Sequence, residues 1–222
     1  MRISVTGTLV VLIASTAVAE PVAEHLEPPS LARGQRNKMA VVGKDVDRPI
    51  GVWTSLPPGK IRAITAQSAD SSRAELELEV AADCPLGIYG LRLATEDGLS
   101  NLQLFAVDDL APRTNLEAVQ REFPVAVSRQ FRNAEVDRFP IEVAAQQKLS
   151  FEVIASRFGT DADPLITIYD ATGRRVFERD NDPGLFFDCC FEHTLSRALA
   201  RRLYRAFCWG WHQRGRDLRS VR

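Results

Sequence analysis

The sequence predicts an all-β chain of two antiparallel sandwiches in tandem, and three observations carry that prediction. Short segments alternate between apolar and polar residues with a period of two, as in Ala74 to Val80 and Leu149 to Val153, the pattern of a half-buried strand. Turn signals such as Pro57-Pro58-Gly59, Glu96-Asp97-Gly98 and Asp170-Ala171-Thr172-Gly173 separate these segments. The strands follow one another with no helix pattern between them until residue 195, which excludes a parallel α/β sheet.

Taken in order, Met1 to Ala19 has a basic start at Arg2, an apolar run from Leu9 to Ala14 and a small-residue site at Ala17-Val18-Ala19. This reads as a signal peptide, so the mature chain is expected to be secreted, periplasmic or on the cell surface. The run is shorter than the ~20 residues needed to span a bilayer. Residues 20–37, rich in Pro, Glu and Ala, read as an extended lead-in. Within residues 38–107, strands are expected at Lys38 to Val42, Ile50 to Leu56, Ile61 to Gln67, Ala74 to Val80, Ile88 to Thr95 and Leu99 to Val107. That spacing suggests an immunoglobulin-like sandwich. The run Pro85 to Leu93 with Gly98-Leu99-Ser100-Asn101 resembles the last hairpin of bacterial immunoglobulin-like modules, a resemblance that implies spacing or binding. Trp53 is expected in the core, the commoner fate of a lone strand tryptophan, with ligand stacking as the alternative. Residues 108–122 read as a linker.

The second sandwich is expected over residues 123–194. Phe139 to Val143, Leu149 to Val153 and Leu165 to Tyr169 alternate, and the Asp170 to Gly173 turn leads into Arg174 to Glu178. Leu149, Phe151 and Val153 should face inward with Ile166 and Ile168. Asp137-Arg138-Phe139, Gln147 to Phe151, Asp163 to Asp170 with Gly173, and Asp180-Asn181-Asp182 resemble, in order and spacing, the bacterial pre-peptidase C-terminal domain. The resemblance implies a jelly-roll-like sandwich that follows catalytic or adhesive domains in exported proteins. Two departures stand out. Gln146 occupies a position where the family usually has Gly, which predicts a rearranged turn. Nothing matches the family's closing strand, Gly-x-Tyr-x-x-x-Val, so the sandwich is expected to lack its last strand.

Composition changes abruptly at residue 195. Residues 20–194 carry 19 Lys and Arg against 28 Asp and Glu, a net of −9, while residues 195–222 carry eight Arg and one Asp, a net of +7; Arg2 completes the total of −1. This basic tail reads as a shifted reading frame and is expected to be helical or disordered. Its alternative is an amphipathic helix on a membrane surface, since Leu195, Leu199, Leu203 and Phe207 recur every four residues. The acidic body argues against nucleic acid, which demands a basic face.

Catalysis finds little support. The three histidines, His25, His193 and His212, stand in the lead-in, at the break and in the tail, and no phosphate loop or HExxH occurs. Cys84, Cys189, Cys190 and Cys208 lack zinc-ligand spacing. They are expected to be small buried hydrophobes without a bridge, with Cys189 and Cys190 on opposite faces of a strand; the alternative is a vicinal disulfide or a bridge to Cys84. No cofactor is implied except calcium, for which Asp161, Asp163, Asp180, Asn181 and Asp182 offer hard oxygen ligands from two loops. The expected function is that of a non-catalytic spacer and binding module pair from a longer exported protein, its ligand a protein or a polysaccharide. The alternatives are an accessory part of an exported peptidase and a small secreted protein with a membrane-surface tail.

Overall fold

The computed structural model describes residues 20–114, 122–129, 136–195, 202–211 and 219–221, the last two spans by backbone pairing alone; the expected signal peptide and His212 lie outside them. The chain is all-β, with a single 3-10 turn among the described residues, at Ser156–Phe158. No helix among the described residues is long and apolar enough to cross a membrane.

The first sandwich is built from β1 (Val22–Glu27), β2 (Ser30–Ala32), β3 (Arg36–Lys44), β4 (Pro49–Thr54), β5 (Ile61–Asp70), β6 (Arg73–Val80), β7 (Gly87–Thr95), β8 (Gly98–Leu99) and β9 (Gln103–Asp108). One sheet has the order β1-β3-β6-β5 and the other β2-β9-β7-β4, with β8 on β7. In β6 the period of two is complete: Ala74, Leu76, Leu78 and Val80 are buried. The intervening glutamates face out, Glu77 to Arg36 and Glu79 to Arg62. Leu91, Leu93 and Phe105 close the core from the other sheet, all fully buried, each worth roughly 1.5–3 kcal/mol of apolar burial.

Two features depart from expectation. Order begins at Val22 rather than after a lead-in, because Ala23, Leu26, Leu31 and Ala32 fill the core. The Asn101 side chain clamps Ala23 through its N–H and C=O (2.8 and 2.9 Å), and Asn37 does the same for Ala32 (2.8 and 2.9 Å). The expected strand from Leu99 to Val107 is split, because Ser100 turns back on Leu93, its hydroxyl accepting the Leu93 N–H at 2.9 Å.

The second sandwich comprises β10 (Val127–Arg129), β11 (Val136–Val143), β12 (Gln147–Ile154), β13 (Asp163–Tyr169), β14 (Arg175–Arg179), β15 (Cys190–Leu195), β16 (Arg202–Trp211) and β17 (Arg219–Val221). Its sheets have the orders β10-β17-β12-β15 and β11-β16-β13-β14. Phe151, Val153, Ile166 and Ile168 are buried together with Leu149 packed against them, as the alternation requires. Gln146 takes the left-handed conformation, φ 61°, in the turn between β11 and β12. Cys84, Cys189 and Cys190 carry no bridge, Cys189 being buried and Cys190 exposed.

The expected missing strand and the helical or disordered tail are corrected by the structure. Residues Arg202–Trp211 form β16, paired in unbroken register with Val136–Val143 on one side and Asp163–Tyr169 on the other, and β17 joins β10 to β12. The reason is in the tail's own composition. Tyr204, Phe207, Trp209 and Trp211 have strong strand preference, and two waiting edges supply the ladder hydrogen bonds that a lone helix would leave to solvent.

The Asp170 turn carries a pH signature. The Thr172 hydroxyl (2.5 Å) and the N–H groups of Thr172 and Arg174 (2.9 and 3.1 Å) donate to Asp170 Oδ1, which lowers the carboxyl to about 2 against 3.8 in the unfolded chain. A depressed carboxylate stabilises the fold fully above its unfolded value and loses that contribution as pH falls through the folded one. Thermal melts of the wild type and Asp170→Asn should therefore differ by a constant amount above about pH 5 and converge toward pH 2. A difference independent of pH would exclude the carboxylate as its source.

The two sandwiches share no sheet among the described residues. They meet at an apolar joint in which Ile154 and Phe158 of the second pack on Ala106, Ile88 and Leu104 of the first. Arg113 of the linker is already tied to the second sandwich, its N–H donating to Ala126 C=O at 3.0 Å.

Candidate functional site

The outer face of the β2-β9-β7-β4 sheet is where exposed aromatic surface and a cleft come together. In β4, Val52 pairs with Leu93 and Thr54 with Leu91, both core leucines, so alternation turns Trp53 outward opposite Arg92. Trp53 is 48% exposed, which corrects the expected core position, and Ile50, near the start of the same strand, is 68% exposed. Gly51 has no atom within 4 Å of where a Cβ would stand, so the face beside the indole is flat and open.

Two residues along from Arg92, Gly90 lies under Leu102; a Cβ there would come within 2.7 Å of Leu102 Cδ1. The Ser55 hydroxyl accepts the Gly90 N–H at 2.8 Å, and Arg92 donates to Ser100 C=O at 3.4 Å, which fixes this row. Leu102 and Leu104 then form the wall of a cleft of ≈ 360 Å³ at the joint, closed on its far side by Phe158, Gly159 and Thr160 and flanked by Glu24, His25 and Gln103. Trp53 and the cleft mouth are thus about two strand spacings apart, ~10 Å, on one continuous face.

The expected cation site is only partly assembled. With its amide nitrogen turned inward, Asn181 donates to Phe187 C=O (2.9 Å), Asp163 Oδ1 (3.1 Å) and Asp180 Oδ1 (3.1 Å), so these three residues meet as an internal network. Asp182 points elsewhere, to Arg179 and to the Cys190 N–H at 2.8 Å; Arg179 holds its carboxyl below the usual carboxylate range. Asp161 is exposed on the preceding loop. Among the described residues, no three His, Cys, Asp or Glu side chains are grouped so as to hold a metal.

His25 bonds Glu27 at 2.8 Å. His193 stacks on Phe177 with ring centroids 4.3 Å apart, and burial pushes its pKa down. Sequence reasoning missed Trp53 as a surface residue and gave no sign of the joint cleft. The parity shared by Val52, Thr54 and the buried Leu56 was the available signal for the first.

No family model and no curated protein matches the chain. Among solved structures it is similar to a Bacteroides ovatus mixed-linkage glucan utilization locus SGBP-B in complex with a mixed-linkage heptasaccharide, at 9% identity and TM-score 0.28 over 95% of this chain and 75% of that one. It is also similar to SGBP-B from a complex xyloglucan utilization locus in Bacteroides uniformis, at 10% identity and TM-score 0.30 over 90% and 70%. A third is Yersinia pseudotuberculosis InvD, at 8% identity and TM-score 0.29 over 85% and 57%. Identities and TM-scores this low place the chain in none of these families.

Proposed function

We propose that this chain is an exported, non-catalytic binding module pair that holds an extended polysaccharide along the outer face of β4, β7 and β9. The observation that carries this reading is Trp53, turned out of the core by the alternation of its own strand onto a flat face that runs into the joint cleft. An indole exposed beside a glycine offers the apolar face of a sugar ring a stacking surface at little conformational cost. The cleft then adds polar groups, Gln103, Thr160 and Glu24 among them, beside Leu102 and Leu104, the usual mixture of a ligand site at a domain boundary. An extended chain fits better than a compact ligand, because surface and cleft lie in line.

Electrophoresis of the folded protein through gels containing soluble β-glucans, xylans or mannans tests the reading. At least one polymer should retard the wild type, and Trp53→Ala should lose most of that retardation, a loss of about 1–3 kcal/mol of binding by analogy with other aromatic stacking sites. The Trp53→Ala melting midpoint should stay within a few degrees of the wild type. Equal retardation of both proteins, or none of the wild type by any polymer, would remove the reading.

A further inference from the structure

The loop between β14 and β15 holds two adjacent phenylalanines in water. Phe186 is 76% exposed and Phe187 51%. Phe186 also has φ 58°, a left-handed conformation that a bulky residue adopts only when its surroundings impose it. The surroundings do impose it. Leu185 N–H donates to Asp182 C=O (3.1 Å), Asp188 N–H to Leu185 C=O (3.0 Å) and Asp182 N–H to Asp188 C=O (3.0 Å), while Phe187 N–H donates to the Ser156 hydroxyl (3.1 Å). The loop is therefore stiff, and what it presents is a strained, solvent-exposed apolar pair. A sequence under no demand at this position would place Gly or Asn there.

Among the described residues, acidic side chains outnumber basic ones around the pair. Asp163 and Asp180 meet Phe187 C=O through Asn181, and Asp161 and Asp180 are exposed. The two nearby arginines, Arg157 and Arg179, pair with Asp188 and Asp182 of the same loop. An acidic rim disfavours an anionic bilayer and disfavours pairing with the same loop of a second copy, since like charges would face each other. We infer that Phe186 and Phe187 are a docking knob for a polypeptide partner whose apolar pocket is ringed by lysine and arginine.

Fluorescence-anisotropy titrations of the full chain test this with short labelled peptides. Each has a Leu-Phe-Leu centre flanked by Lys and Arg, by Asp and Glu, or by Ser. The basic peptide should bind, more weakly as salt is raised, and the acidic and Ser peptides should not. Phe186→Asn and Phe187→Ser should each weaken binding by about tenfold or more, the scale of an interface anchor. Trp53→Ala should bind as the wild type does, which separates failure here from failure of the polysaccharide reading. Phe186→Asn should also melt at or above the wild-type temperature, because Asn relieves the backbone strain. Absence of binding to the basic peptide, equal binding by Phe186→Asn, or a lowered melting temperature in that variant would overturn the inference. So would Phe186-dependent sedimentation with phosphatidylcholine vesicles, with or without phosphatidylglycerol, or Phe186-dependent self-association in sedimentation velocity.

Discussion

Asp188→Ala should strongly destabilise the second sandwich while leaving the first as stable as in the wild type. The Asp188 side chain is fully buried and accepts from the N–H groups of Ala155 (2.9 Å), Ser156 (2.8 Å) and Arg157 (3.1 Å) and from Arg157 Nε (2.8 Å). Arg157 in turn bonds Glu152 (3.0 Å) and Val153 C=O (2.9 Å), so one carboxylate organises the 3-10 turn and ties it to β12. Alanine would strand three backbone donors and a guanidinium in a site with little water. Breaking a buried pair on one side costs about 3–5 kcal/mol, a large share of the ~5–15 kcal/mol that holds a domain together. The midpoint of the second transition should fall by more than ~10 °C in calorimetry. Glu192→Ala, which removes an exposed pair with Lys148 and an exposed, long hydrogen bond from the Ser150 hydroxyl (3.4 Å), should leave it in place. A shift for Asp188→Ala no larger than for Glu192→Ala would show that the network carries no weight.

The strands that the sequence announced were those whose period of two runs uninterrupted. In β6 and β12 every second residue meets the core, so the pattern and the burial agree. β1 escaped for a definite reason. Its register shifts between Ala23 and His25, so the buried Ala23 and Leu26 fall on opposite parities and the alternation vanishes. The partner at that point is Gly43, where a Cβ would stand 1.9 Å from Val22 C=O; a bulge of this kind is visible only once both strands are paired. In the tail, fourfold leucine spacing and dense arginines favour a helix, whereas the strand β16 depends on two edges, β11 and β13, that only the folded chain brings beside it.

The site was less legible than the fold. Val52, Thr54 and Leu56 share one parity, and that alone turns Trp53 outward, but the size of a tryptophan argued for the core. The five acidic-loop residues are expected to meet from two loops on either side of the central hairpin. The Asn181 amide does draw Asp163 and Asp180 together, while Arg179 holds Asp182. The joint cleft and the exposed Phe186–Phe187 pair depend on how distant segments meet, and no local pattern encodes that.

Removing residues 196–222 is expected to abolish the cooperative unfolding of the second sandwich. β16 is an inner strand: eight residues of β11 and seven of β13 pair with it. Without it β11 has no neighbour in its sheet, and β13 keeps only β14, a two-stranded ribbon of marginal stability in water. The other sheet loses β17, which joins β10 to β12. Phe139, Ile141 and Ile168 would then lie beside open ladder groups, an arrangement that invites edge-to-edge association. The first sandwich should be spared, since its sheets lie within Val22–Asp108. Calorimetry of the shortened chain should therefore show one transition where the full chain shows two, with light scattering rising on heating. Two unchanged transitions would instead place the arginine-rich segment outside the cooperative fold, the outcome that its abrupt change of composition predicts for a shifted reading frame.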